Sequence, residues 1–70
     1  MGDVRRTFGK RVREVRSLRG LSQEKLGQKI RMSRNYIGMV ERGERNPTIT
    51  TASSMAKALR VTLSELVRGL

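Results

Sequence analysis

The chain of 70 residues contains no cysteine, no histidine and no tryptophan, and only one proline. Without cysteine there is no disulfide to staple a small domain. Without cysteine or histidine the usual zinc ligand sets are missing, so side-chain packing has to supply the stability. The lack of cysteine also accords with a reducing compartment. Aromatics are confined to Phe8 and Tyr36. No apolar run approaches the roughly 20 residues of a membrane span. The first residues, MGDVRRTFGKRV, contain nothing resembling the apolar stretch of a secretory signal. The expectation is a soluble, cytoplasmic protein of one domain, residues 1–70, at the lower size limit for a core that folds alone.

What the chain does have is positive charge. Sixteen lysines and arginines stand against six acids, a net charge of +10. The excess is marked in residues 1–20, where Arg5, Arg6, Lys10, Arg11, Arg13, Arg16 and Arg19 face only Asp3 and Glu14. A balance this one-sided points to a polyanionic partner, nucleic acid first. Most of the basic residues at 5, 6, 10, 11 and 13 read as a solvated face that contributes a general field.

Apolar spacing indicates five helices and no strand, an all-α fold. Val4, Phe8, Val12, Val15 and Leu18 recur at steps of three and four, one stripe of a helix over 3–19. Helices over 22–30, 33–42, 48–59 and 62–68 follow. Their starts are marked by Ser22, Ser33, Thr48 and Thr62 as N-caps, as Asp3 marks the first. Thr62 and Glu65 have the spacing of a capping box, and apolar pairs such as Met32 and Ile37 flank the caps as hydrophobic staples. Inward positions are Leu26, Ile30, Met32, Ile37 and Val40, then Ile49, Ala52, Met55, Ala56 and Leu59. Gly43 and Pro47 make GERNPT the one long loop.

The spacing within residues 22–42 is more specific than amphipathicity. Two short helices joined by about three residues match the helix-turn-helix, whose second helix enters the DNA major groove. Gly27 removes a side chain where a second helix could cross closely. The outer face of SRNYIGMVER shows Arg34, Asn35, Gly38 and Arg42. Arginine can pair bidentately with guanine O6 and N7, and asparagine with adenine N6 and N7.

The stretches LSQEKLGQKI, MSRNYIGMVERG and NPTITT…MAKAL…LSEL resemble the Xre/Cro-type helix-turn-helix family over about residues 8–67. The resemblance implies a five-helix, phage-repressor-like domain that binds operator DNA, usually as a symmetric homodimer. From the residues themselves, the lack of histidine, cysteine, a P-loop and paired carboxylates gives the expectation of no catalytic residues and no cofactor. By position the resemblance implies base contacts from Arg34, Asn35 and Met39; Gly38, on the same face, is grouped with them as the residue that permits close approach to the groove. Phosphate contacts fall by position to Gln23, Arg42, Arg45 and Asn46; Ser33 and Tyr36 are further candidates, with packing of the Tyr36 ring against the second helix as the competing role. Arg16 and Glu41 match a buried ion pair of some phage repressors. The last helix often forms the dimer contact, which places Leu63, Leu66, Val67 and Leu70 there, with completion of the core as the competing role. The family's turn usually has glycine at the position of Arg31, where the backbone is left-handed.

The function expected is a sequence-specific transcriptional regulator acting on double-stranded DNA, bacterial or phage-encoded and nucleoid-associated. The alternative is a non-specific RNA or nucleoid binder. A membrane-surface role is disfavoured because the first helix needs its apolar stripe inside. Open at this level are the operator, repression against activation, any small-molecule or protein effector, and whether a longer regulator contains this domain.

Overall fold

Each helix starts where a short polar side chain accepts a backbone N–H. In the computed structural model, which describes residues 3–70, Asp3 accepts from Arg5, Ser22 from Lys25, Ser33 from Tyr36, Thr48 from Thr51 and Thr62 from Glu65. The cap residues are extended, so each helix begins one residue after its cap. The helices are α1 (Val4–Leu18), α2 (Gln23–Ile30), α3 (Arg34–Glu41), α4 (Ile49–Leu59) and α5 (Leu63–Val67), with no strand among the described residues. They match the expected segments after trimming the caps, plus Arg19, Arg42 and Arg68, which serve as C-caps. The first two residues of the expected 1–70 domain lie outside the described part.

Four of the helices end in the same closure. The backbone N–H of Leu21 donates to the Arg16 carbonyl (3.1 Å), Met32 to Gly27 (2.9 Å), Glu44 to Met39 (2.8 Å) and Val61 to Ala56 (3.0 Å). This six-to-one bond requires a left-handed residue just before the donor. Gly20 and Gly43 fill that place in two cases; Arg31 (φ 60°) and Arg60 (φ 62°) fill it in the others.

Phe8 and Val12 of α1 meet Leu26, Ile37, Val40, Ala52, Met55, Ala56, Leu59 and Leu66 in one core. Fully burying a side chain of the larger kinds contributes about 1.5–3 kcal/mol. Gly9 lets α1 cross the end of α3, since a Cβ there would strike the carbonyls of Val40 and Glu41.

Four apolar residues expected inside are not. Leu18 is 82% exposed, Ile49 72%, Val4 57% and Met32 36%. Leu18 and Val4 occupy the two ends of α1, and Ile49 begins α4, so the stripes outrun the core they pack on. Met32 lies in the turn between helices rather than on a buried face. Gly27 likewise makes room for the turn and not for a crossing helix: its missing Cβ would meet the Met32 carbonyl.

Candidate nucleic-acid interface

The α2–turn–α3 unit is built by Ser22 and Ser33 as caps and Arg31 as the left-handed turn residue. Ile37 and Val40 anchor α3 in the core, while Tyr36 and Met39 are half-buried at its flanks. Arg34 and Asn35, in its first turn, are exposed. One open depression is lined by Gln23, Arg34, Asn35, Gly38 and Arg42. Five of the residues singled out from sequence are therefore brought together on one face.

Gly38 belongs to that face but does not show itself to solvent. It is buried, with the Arg42 guanidinium and the Gln23 amide folded over it; a Cβ built there would lie 3.1 Å from Arg42 Nη1 and 3.7 Å from the Gln23 amide. The expectation of an outward-facing Gly38 is corrected on this point, because side chains from the neighbouring turn and from α2 cover it.

A charged network fixes how α3 is held. Arg16 Nε donates to Glu41 Oε2 at 2.6 Å and Nη2 to Oε1 at 3.0 Å, while Arg16 Nη1 donates to the Leu21 carbonyl at 2.8 Å. Gln23 Nε2 donates to the same Glu41 Oε1 at 3.1 Å. The Glu41 side chain is 3% exposed. The hydrogen bond to Glu41 raises the Arg16 pKa above its ordinary value, against the opposing effect of burial. One carboxylate thus ties α1, α2 and the C-terminal end of α3. Removing one partner of such a buried pair costs about 3–5 kcal/mol.

Beyond α3 the loop presents two arginines held differently. Arg42 Nε and Nη2 donate to the Glu44 carboxylate at 3.0 and 3.3 Å. Its pKa is raised by that hydrogen bond, and that of Glu44 is lowered by the same bond. The Arg45 guanidinium lies over the Tyr36 ring, 5.6 Å from its centroid. Asn46 is exposed and borders an apolar groove, away from the α3 depression.

Two contacts had no local signal. Arg11, expected to be solvated, donates to the carbonyls of Glu65 (2.9 Å), Leu66 (3.3 Å) and Arg68 (2.9 Å) and so caps the C-terminal end of α5. Arg19 does the same for α4, donating to Leu59 (2.8 Å) and Arg60 (3.3 Å).

The expected dimer set divides. Leu66 is 1% exposed and sits in the core, so it has no surface to offer a partner. Leu63 and Val67 are half-buried against the core, and Leu70 is 42% exposed. Val67 and Leu70 line an apolar groove of about 160 Å³ with Val4, Phe8, Ile49 and Ala52, the place where α1, α4 and the chain end converge. No helix among the described residues is long and apolar enough to cross a membrane.

With this geometry in view, the helix-turn-helix family model HTH_3 matches residues 12–66. The chain belongs to the helix-turn-helix family. Among its relatives, the control protein C.SmaI of Serratia marcescens is 40% identical over 65 residues, covering 93% of this chain and 77% of that protein. Among solved structures, the restriction–modification controller protein C.AhdI from Aeromonas hydrophila has a TM-score of 0.86. It is 42% identical, over 89% of this chain and 94% of that one. The P22 c2 repressor in complex with a synthetic operator has a TM-score of 0.81 and 28% identity, over 90% of this chain and 96% of that one. The five-helix architecture is thus that of helix-turn-helix repressors and controllers.

Proposed function

We propose that the protein is a sequence-specific, double-stranded-DNA-binding transcriptional regulator. The observation that carries the reading is the outer face of α3. Arg34 and Asn35 project free of any protein partner among the described hydrogen bonds, on a helix whose far end is locked by the Arg16–Glu41–Gln23 network. Side chains meant for a core or a structural ion pair would not be left free on so rigid a support. They suit base edges, which reward fixed geometry.

In this reading α3 lies in the major groove. Arg34 pairs with guanine, Asn35 with adenine, and Met39 offers apolar contact at the flank. Gly38, with no side chain of its own, leaves the space over which Arg42 and Gln23 reach toward the duplex. Gln23, the Ser33 and Tyr36 hydroxyls, Arg45 and Asn46 meet phosphates, and the remaining positive charge releases counterions. The C.AhdI and P22 c2 resemblances support assigning the same role to this chain. Two copies related by a two-fold axis place their α3 helices about 34 Å apart, one turn of DNA. The apolar groove at Val67, Leu70, Val4 and Ile49 is where the second copy packs. Residues 1–70 act as one DNA-binding unit, in the cytoplasm of a bacterium or as a phage product in it. The activity is binding and not catalysis.

Non-specific single-strand binding is the weaker reading. Such binders stack bases on exposed aromatic rings, whereas Phe8 is 6% exposed and Tyr36 is half-buried with Arg45 across its face.

Arg34→Ala tests the assignment. Equilibrium binding to a selected operator should weaken by roughly 1–3 kcal/mol, with discrimination lost at a single base position. An equal loss on every duplex would mean that Arg34 contributes charge and reads nothing.

A further inference from the structure

The two arginines of the α3–α4 loop differ in which N–H groups they leave free. Arg45 rests on the Tyr36 ring, and no carboxylate engages it among the described ion pairs. Its N–H groups are available to a phosphate. Arg42 has the side edge of its guanidinium, Nε and Nη2, closed by Glu44. Its other nitrogen, Nη1, lies against Gly38 in the depression that Arg34 and Asn35 share.

Resting on the DNA-binding reading above, we propose that Glu44 is a positioning residue for sequence discrimination. It withholds Arg42 from the phosphates and aims the Nη1–Nη2 end of its guanidinium at the base edges. A phosphate competing for Arg42 has to displace a carboxylate tethered two residues away and meets that negative charge. A base edge is uncharged and needs only the end that Glu44 leaves open, the edge suited to guanine O6 and N7. Arg42 then belongs with Arg34 and Asn35 in base reading rather than with the phosphate contacts. The depressed Glu44 pKa keeps the carboxylate ionised at neutral pH. Both side chains are more than half exposed, so exchanging either leaves the core untouched.

The test is Glu44→Gln in the full chain, bound to its selected operator and to a scrambled duplex over a range of salt. Freeing Arg42 for phosphate should tighten scrambled-duplex binding several-fold and steepen its salt dependence by about one in the log–log slope per subunit. The operator-to-scrambled ratio should fall by a larger factor than the operator affinity changes. In an Arg42→Ala background the same exchange should leave that ratio unchanged, because only a general charge effect remains. Equal tightening on both duplexes, in both backgrounds, would overturn the proposal and leave Glu44 as a simple negative charge. A wild-type chain without operator preference would overturn the regulator reading itself, and the role of Glu44 with it.

Discussion

Arg31 and Arg60 carry a conformation that side chains resist. Both have positive φ near 60°, and in both cases the N–H of the following residue donates to a carbonyl five positions before it, closing the helix. A β-carbon in this region costs on the order of 1–2 kcal/mol. Arg31→Gly should therefore raise stability by roughly 0.5–1 kcal/mol, after allowing for the greater freedom of glycine in the unfolded chain. Thermal unfolding checks this, and a lower midpoint would mean that the Arg31 side chain holds the turn in a way its backbone does not reveal. At this scale much could be read from the chain. Asp3, Ser22, Ser33, Thr48 and Thr62 announce helix starts because capping is a contact across two or three residues. Arg11 and Arg19 announce nothing, since their carbonyl partners lie 40 to 57 residues away. The covering of Gly38 was equally hidden: it depends on where Arg42 and Gln23 fold, not on their order in the chain.

Among the elements, α5 is the least self-sufficient. Five residues are far below the length at which an isolated helix is stable. It is held by Leu66 in the core, by Arg11 across its carbonyl end, and by a complete capping box at Thr62 and Glu65. The backbone N–H of Thr62, with its hydroxyl, holds the Glu65 carboxyl below its ordinary 4.5. A depressed carboxyl stabilises the fold at pH values above its unfolded pKa, and that contribution is lost as pH falls through the folded value. Glu65→Gln keeps a capping-box side chain but cannot titrate. Wild type should be the more stable at neutral pH, and the difference should vanish in acid, once the carboxyl is protonated in both the folded and the unfolded chain. Denaturant midpoints at the two pH values decide it; a constant difference would place the stabilising effect outside the carboxylate. The α2–turn–α3 unit was legible at this scale because its caps, spacing and apolar positions are all local. The reach of the apolar stripes was not, because periodicity shows a face without showing how far its partner extends. Leu18, Val4 and Ile49 are the consequence.

For the molecule as a whole, a net charge of +10 on 70 residues makes assembly and DNA binding respond oppositely to salt. Two copies repel each other until counterions or phosphates intervene, while each phosphate contact weakens as salt rises. In the dimer proposed above, the groove at Val4, Ile49, Val67 and Leu70 has to offset that repulsion. Ile49 is 72% exposed and is the first residue of α4, where a glutamate suits the helix dipole. Ile49→Glu should leave monomer folding intact yet abolish cooperative occupation of paired half-sites, as sedimentation and binding isotherms would report. Unchanged cooperativity would move the contact elsewhere on the surface. The sequence pointed to the last helix for this role. It could not divide Leu66, which fills the core, from Val67 and Leu70, which border the groove, because that division is set by α1 and α4 packing from far along the chain. Charge was legible at once, being a property of composition alone.

The central claim is that the outer face of α3 reads base sequence. The most direct measurement is selection from a random duplex pool on the purified protein at about 150 mM salt, near physiological screening. Sequencing should return a two-fold symmetric motif with half-site centres about ten base pairs apart, the spacing of one turn of DNA. Salt-sensitive retention of the pool with no enriched motif would contradict the account and leave a binder of phosphate charge alone.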